Sequence, residues 1–487
     1  MKTLFRLQNF LLVLLISACQ PSGVVFPDAI CIENVSVIQP EEGLIENQTV
    51  IVQGEKIFKV VPSADLNLSP ENQIIDGKGK YLMPGLWDAH VHFAYMEELA
   101  PSMFDLFLGY GITSVRDTGG RIDFVKMWKD KALANPNDAP RVMIAGPLLD
   151  GIPNVYDGST PQRPPLSVGL PTLEAAAKKV NELDSLGVDL LKAYEMLTPE
   201  QFALIAKMAK EKGLKVTGHV PLSMDVISAS NAGLSSMEHM RNLELSCASN
   251  ADELLQQRLE LLKTEKDSAG GILRSKIHEL QRETAVKNYD EIKAKEILAV
   301  LANNQTWQIP TLALSAFLTN RHFEHPEWRE SITFFPEVIE QEWEKAAVSI
   351  KKMPITPFRI QYAEWSLKMV KKIHETKIEI MAGTDCPIAL LTPGLSLHEE
   401  LAMLVQAGLT PLEAIKTATV NPAKYFNLQH ELGLVQEGMW ADLILLDANP
   451  IENIANTKSI NAVVKNGKYF NKRQLNKILK RDRNPEK

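Results

Sequence analysis

Six side chains that can bind metal ions or move protons stand at the ends of strand-like segments of this sequence. In chain order they are His90, His92, Lys192, His219, His239 and Asp385. Because strand residues alternate in direction, His90 and His92 point to the same side of their strand. Four imidazoles and a carboxylate gathered at one place would be badly solvated unless a cation lay among them. Nitrogen and oxygen donors of these types suit zinc or another first-row metal, so the set indicates a metal centre.

The segments that carry these residues alternate with helical patterns. The strand-like runs are 82–92, 111–117, 141–146, 188–194, 214–220, 234–240, 306–314 and 378–385. Between two of them, TPEQFALIAKMAKEKG begins with a capping Thr and ends at a Gly, as helices do. Eight strands alternating with helices predict an α/β fold, a (β/α)₈ TIM barrel, over residues 85–429. Active sites of such barrels lie at the carboxyl ends of the strands, where the six side chains stand.

Segments rich in β-strand patterns at both chain ends flank this barrel. AICIENVSVI near the start and INAVVKNGKYF near the end combine strand-like alternation with Gly-containing turns. We therefore predict a small β-sandwich domain built from residues 24–84 and 430–475. Two polar intervals with helical periodicity, 241–305 and 315–375, are predicted to be helical insertions over the open end of the barrel. The Pro- and Gly-rich segment 150–171 is predicted to be a functional loop.

The motifs around the six side chains resemble those of the amidohydrolase superfamily. PGLWDAHVH, DLLKAY, VTGHV, SMEHM, AGTD and the closing LGLVQEGMWADLILLDANP are most similar to its imidazolonepropionase-like and Xaa-Pro-dipeptidase-like branch. The resemblance extends from about residue 28 to residue 470 and leaves only the two helical insertions poorly matched.

This resemblance implies a centre of two divalent metal ions, with zinc the expected metal. His90, His92 and Asp385 would bind the buried ion, and the other two histidines of the set would bind the exposed ion. Lys192, carboxylated by CO₂ to a carbamate, would bridge the two ions. A centre with a single ion, as some relatives have, is the alternative.

The implied reaction is hydrolysis of a C–N bond, amide or peptide-like, in a small molecule such as a dipeptide, an N-acyl amino acid or a cyclic amide. A bound metal lowers the pKa of water from about 15.7 to about 7, which supplies hydroxide at neutral pH. Asp385 would accept the proton and pass it to the departing nitrogen. Tyr194 would donate to the developing oxyanion or only line the rim. The alternatives are an esterase, phosphoesterase or deaminase of the same fold, and a non-catalytic ligand-binding surface lipoprotein.

Other polar residues carry weaker expectations. Arg116 either pairs with a substrate carboxylate or holds Asp117, and His398 is expected to pack within a helix. Glu238 is expected to point away from the barrel axis, because it precedes His239 in the same strand. No role is expected for the remaining histidines, which are His278, His322, His325, His374 and His430.

The N-terminus carries the pattern of an export signal. Lys2 and Arg6 precede an apolar run that is too short to span a bilayer and that ends in Ile-Ser-Ala-Cys. This ending resembles the bacterial lipobox, so residues 1–18 are predicted to be a lipoprotein signal peptide and Cys19 to carry the lipid. A plain signal peptide is the alternative. Gln20 after the cysteine indicates attachment at the periplasmic face of the outer membrane.

Composition limits the partners. The net charge is −8 and no basic patch with interleaved aromatic residues is found, so we expect no nucleic-acid partner. The remaining cysteines, Cys31, Cys247 and Cys386, are too scattered for a disulfide framework and are expected to be core thiols. The expected partners are a small-molecule substrate, a membrane through the Cys19 lipid, and a second copy in a homo-oligomer.

Overall fold

A computed structural model describes residues 23–480 of the chain. The predicted signal peptide, residues 1–18, and the predicted lipid site at Cys19 lie outside the described residues. Within the described part, none of the helices has the length and apolar character that crossing a membrane requires.

The strands of the described part fall into an N-terminal group, a central group and a C-terminal group. They are β1 (Ala29–Gln39), β2 (Gly43–Gln53), β3 (Lys56–Pro62), β4 (Gln73–Asp76), β5 (Tyr81–Pro84), β6 (Leu86–Val91), β7 (Ile112–Asp117), β8 (Arg141–Ile144), β9 (Leu148–Asp150), β10 (Ser167–Gly169), β11 (Leu190–Ala193), β12 (Lys215–Gly218), β13 (Ser236–Glu238), β14 (Trp307–Ile309), β15 (Leu443–Leu446), β16 (Ile460–Lys465) and β17 (Lys468–Asn471).

The helices lie mostly between the central strands and in the two predicted insertions. They are α1 (Ala100–Gly109), α2 (Ile122–Ala134), α3 (Leu173–Ser185), α4 (Pro199–Glu211), α5 (Val226–Asn231), α6 (Leu243–Ser246), α7 (Ala251–Thr264), α8 (Gly270–Lys287), α9 (Glu291–Asn303), α10 (Leu312–Ser315), α11 (Phe317–Asn320), α12 (Pro326–Ile332), α13 (Glu337–Lys351), α14 (Pro357–Glu375), α15 (Leu395–Gln406), α16 (Pro411–Thr417), α17 (Val420–Tyr425) and α18 (Lys472–Ile478).

Strands from the two chain ends form one sheet. Its order is β17-β16-β15-β5-β1-β2-β3, with β4 beside β1, and β15 pairs antiparallel with β5. One apolar cluster of this sheet includes Ile32 and Val50 from the N-terminal strands and Leu443 and Val464 from the C-terminal strands. The predicted meeting of the two ends is therefore seen. The pairings give one eight-stranded sheet, so the expected sandwich of two sheets is seen only in part.

The central strands pair in parallel in two groups, β6-β7-β8 and β10-β9-β11-β12-β13-β14. Seven of the eight predicted central strands are present. The first predicted strand, 82–92, is divided into β5 and β6, because the chain passes from one sheet to the other at Gly85. A Cβ added at Gly85 would lie 2.2 Å from the Thr113 hydroxyl oxygen. The eighth, 378–385, is not a regular strand. Ile380 within it makes a single parallel bridge to Gln308, and Cys386 just after it makes one to Val91.

The predicted insertions are helical. Helices α6 to α9 fall within 241–305, and α11 to α14 fall within 315–375. The segment 150–171 contains β10, which pairs with β9. Helix α4 begins after Thr198, whose side chain and Gln201 form the reciprocal cap that its sequence favours.

Candidate metal centre

Three of the six predicted ligands form a tight buried triad. Nε2 of His90 and Nε2 of His92 are 3.3 Å apart, and Oδ1 of Asp385 is 3.0 Å from each of them. The backbone brings them together, because Asp385 N donates to His90 O and His92 N donates to Cys386 O. Among the histidine, cysteine, aspartate and glutamate side chains of the described residues, these three form the group whose ligand atoms are close enough to share one metal ion.

The other three predicted ligands line the same cavity of about 270 Å³. The rings of His219 and His239 are 4.9 Å apart between centroids, and Nε2 of His239 lies 3.9 Å from Oδ2 of Asp385. Lys192 is buried in the wall of this cavity, and burial lowers the pKa of its amine to about 8. The fold thus places all six side chains around one space.

The hydrogen bonds of the four histidines leave one nitrogen of each ring available. In each ring Nδ1 faces an acceptor: Glu238 Oε2 at 2.6 Å from His90, Gly119 O at 2.9 Å from His92, Glu195 Oε1 at 2.6 Å from His219, and Thr311 Oγ1 at 2.7 Å from His239. A proton on Nδ1 leaves Nε2 with a free lone pair, which is the arrangement found in metal-bound histidines. Burial also lowers the pKa of His219 to about 3, which keeps its ring neutral.

The triad fits a cation. Oδ1 of Asp385 is buried and accepts no hydrogen bond, although two Nε2 atoms lie 3.0 Å from it. With Nδ1 protonated in both rings, three acceptor atoms face one another across this short distance. Such a group is costly to bury unless a positive ion lies between its members. Two imidazole nitrogens and a carboxylate oxygen are the donors of many zinc sites.

The prediction that Glu238 points away from the barrel axis is wrong. Glu238 is fully buried, accepts from Nδ1 of His90, and pairs with Nη2 of Arg116 at 2.7 Å. Strand β13 ends at Glu238, and His239 has a φ of 58°, in the left-handed region. Alternation therefore fails at this step, and both side chains reach the site. Arg116 pairs with Glu238 and not with Asp117, whose carboxylate accepts from Phe93 N and Gly119 N.

A second supporting carboxylate, Glu195, was not anticipated. It is fully buried beside Tyr194 and accepts from Nδ1 of His219 at 2.6 Å, Nε2 of His278 at 2.6 Å and Nε of Arg274 at 3.1 Å. Burial alone would raise its pKa, but the charge of Arg274 and the contacts with His278 and His219 hold the pKa well below its usual range. Arg274 and His278 belong to α8, so the first helical insertion supports the site directly. The expectation that His278 has no role is wrong.

Tyr194 lines the same cavity as the six predicted ligands. Its side chain is buried in the cavity wall, and its ring centroid is 4.4 Å from that of His219. Tyr156, from the predicted functional loop, lines the same cavity. His398 does not line this cavity. Its two ring nitrogens form hydrogen bonds with Thr457 Oγ1 and Tyr110 O, which agrees with the predicted packing role.

Known proteins are similar to this chain in sequence and in fold. Residues 81–469 match the sequence profile of the amidohydrolase family. Ochratoxinase of Aspergillus niger is 25% identical over 451 residues, which cover 80% of this chain and 75% of that protein. Imidazolonepropionase of Herpetosiphon aurantiacus is 24% identical over 459 residues, which cover 88% of this chain and 92% of that protein. A solved Xaa-Pro dipeptidase with bound methionine has a TM-score of 0.64 at 18% identity, and the match covers 91% of this chain and 100% of that one. The chain belongs to the amidohydrolase family, whose members are hydrolases acting on carbon–nitrogen bonds.

Proposed function

We propose that this chain is a metal-dependent hydrolase that cleaves the C–N bond of a small amide, such as a dipeptide, an N-acyl amino acid or a cyclic amide. The observation that carries the proposal is the triad of facing acceptors, His90 Nε2, His92 Nε2 and Asp385 Oδ1, within 3.3 Å of one another. Membership of the amidohydrolase family supports the reaction class.

The proposal includes a closed (β/α)₈ barrel. Hydrogen bonds link the two parallel strand groups on both sides, which supports closure. On one side Ala89 N donates to Ala382 O and Met381 N donates to Gln308 O. On the other side Asp189 N donates to Ile144 O. The irregular segment 378–385 would then complete the ring between β14 and β6.

We assign two ions, proposed to be zinc, to the six side chains. The triad would hold the buried ion, and His219 and His239 would hold the exposed one. Lys192, as the carbamate formed with CO₂, would bridge them. The lowered pKa of Lys192, about 8, supports this assignment because CO₂ adds to the neutral amine. When bound, the ions supply Lewis acidity and lower the pKa of a bound water.

The protein's own groups would then orient the amide and move the proton. Asp385 faces the cavity and would hold the water's proton and deliver it to the departing nitrogen. Burial raises the pKa of Tyr194 well above its usual value, so the phenol stays protonated and would donate to the substrate's carbonyl oxygen. Tyr156 and Leu166 complete the wall and would exclude bulk water.

Attachment to the cell envelope is a separate proposal that rests on sequence motifs alone. We propose export by the signal peptide 1–18 and lipid attachment through Cys19 at the periplasmic face of the outer membrane. Self-association into a homo-oligomer is likewise a prediction, and the site does not depend on it because the six site residues all come from one chain.

The test uses the zinc-loaded chain, without its signal peptide, on a panel of dipeptides, N-acyl amino acids and cyclic amides. We expect hydrolysis that a chelator abolishes and zinc restores, and a fall of about 10²- to 10⁴-fold in kcat for Asp385→Asn. Asp123→Asn, at a carboxylate with a 75% exposed side chain, is the matched control and should behave as the wild type. Turnover that survives complete metal removal would contradict the proposal.

A further inference from the structure

We call the cavity lined by the six predicted ligands the metal cavity. A second cavity, of about 410 Å³, adjoins it at His239. One part of its wall carries arginines, and another part carries aromatic rings. We call it the arginine chamber and define it by Arg241, Arg282, Arg359, Phe317, Phe358 and Tyr362. The metal cavity and the arginine chamber share His239, Arg241 and Leu314, so a ligand can occupy both spaces at once.

The arginine chamber has a surplus of positive charge. Among the described residues that line it, none is an aspartate or a glutamate. Arg282 donates through Nε to Glu244 at 3.0 Å, but its buried Nη2 has no hydrogen-bond partner. The Nε of Arg241 is also buried without a partner. Unpaired buried N–H groups are costly, and an anionic ligand would satisfy them.

The ion pair of Arg241 is long, and its carboxylate is shared with other donors. The nearest, Glu195 Oε1, is 3.9 Å from its Nε and already accepts from His219 and Arg274. The charge of Arg241 is therefore only partly neutralised, and its Nε can still donate to a ligand at the boundary between the two cavities. A planar guanidinium there matches a carboxylate in shape and charge.

We infer that the arginine chamber binds the carboxylate-bearing half of the substrate, an inference that rests on the proposed function. The substrates are then N-acyl amino acids or dipeptides with a free α-carboxylate and a large apolar side chain. In such molecules one carbon separates the departing nitrogen from the carboxylate. Arg241 lines both cavities, so it would meet this carboxylate when the scissile amide faces the metal cavity. The side chain would pack against Phe317, Phe358 and Tyr362.

The test compares N-acetyl-L-phenylalanine with N-acetyl-L-phenylalaninol, which replaces the carboxylate by a neutral hydroxymethyl group. For the zinc-loaded chain we expect kcat/KM to favour the acid by about 100-fold, the scale of a charge-assisted contact. Arg241→Gln should raise KM for the acid by about 10- to 100-fold and reduce the preference for it. Arg359→Ala should act in the same direction if the first variant does not fold. The exposed Arg329, which lines neither cavity, provides the matched control Arg329→Ala.

Two results separate this inference from the proposed function. Equal kcat/KM for the acid and the alcohol would overturn the carboxylate site and leave the hydrolase intact. Hydrolysis of neither compound, nor of any other amide in the panel, would contradict the proposed function. Calorimetric binding of the two compounds then decides the chamber without turnover. Preference for the acid that Arg241→Gln removes supports the inference, and equal Kd values overturn it.

Discussion

Replacing Glu195 by Gln should lower the affinity for the exposed metal ion and leave the affinity for the buried ion unchanged. The carboxylate of Glu195 accepts from His219, His278 and Arg274, and a glutamine has only one oxygen to offer these donors. His219 would lose the partner that fixes its Nδ1 proton and orients its ring. Loss of such a supporting hydrogen bond typically costs 10- to 100-fold in metal affinity, or about 1.4 to 2.7 kcal/mol. The triad does not contact Glu195, so the buried ion should stay.

The assay is metal content after dialysis against buffered zinc. The free zinc concentration is set between the Kd of the exposed site in the wild type and its Kd in Glu195→Gln. We then expect about two equivalents of zinc for the wild type and about one for the variant. Glu244→Gln is the matched control. Glu244 is equally buried and pairs with Arg282, but it contacts none of the predicted ligands. Both variants leave a guanidinium without its charge partner and lose stability, so only the metal readout separates them. Unchanged zinc affinity in Glu195→Gln, or equal metal loss in both variants, would refute the reasoning.

Three further predictions concern the oxyanion donor, a buried acid and the insertion. Tyr194→Phe should lower kcat by about 10²- to 10³-fold with little change in KM, and an unchanged kcat would return Tyr194 to a rim residue. Burial raises the pKa of Glu400 to about 8, above its unfolded value near 4.3, so the stability from this protonated group is complete below pH 4 and is lost as pH rises through 8. Between pH 5 and pH 8, the free energy of unfolding in urea should therefore fall less for Glu400→Gln than for the wild type. An equal fall in both proteins would contradict this. Joining α7 to α9 without α8 should reduce metal affinity as well as alter substrate range, because Arg274 and His278 are lost. Full metal content without α8 would show that its contacts with Glu195 are dispensable.

Much of the site's placement could be predicted from the sequence. Alternation along the predicted strand 82–92 put His90 and His92 on one side, and parallel strands gather their carboxyl ends, so Lys192 and His219 were expected beside them. The structure places these side chains around one cavity. The resemblance to the amidohydrolase superfamily is confirmed by the match over residues 81–469.

What could not be predicted depends on local backbone geometry and on contacts from the insertions. His239 and Asp385 have φ angles of 58° and 69°, which alternation rules do not anticipate. The first lets His239 reach the site beside Glu238, and the second lies at the end of the last predicted strand, which is irregular. Arg274 and His278 lie in an insertion whose docking no local pattern encodes. For these reasons the ligand candidates were readable from the sequence, but the groups that support them were not.

The most direct measurement is an anomalous difference map, recorded at the zinc edge, from a crystal of the zinc-loaded chain. We expect two peaks in the cavity, one within about 2.0 to 2.2 Å of His90 Nε2, His92 Nε2 and Asp385, and one at similar distances from His219 and His239. A map with no peak at the triad, or with the metal bound elsewhere, would contradict the metal centre on which the proposed function depends.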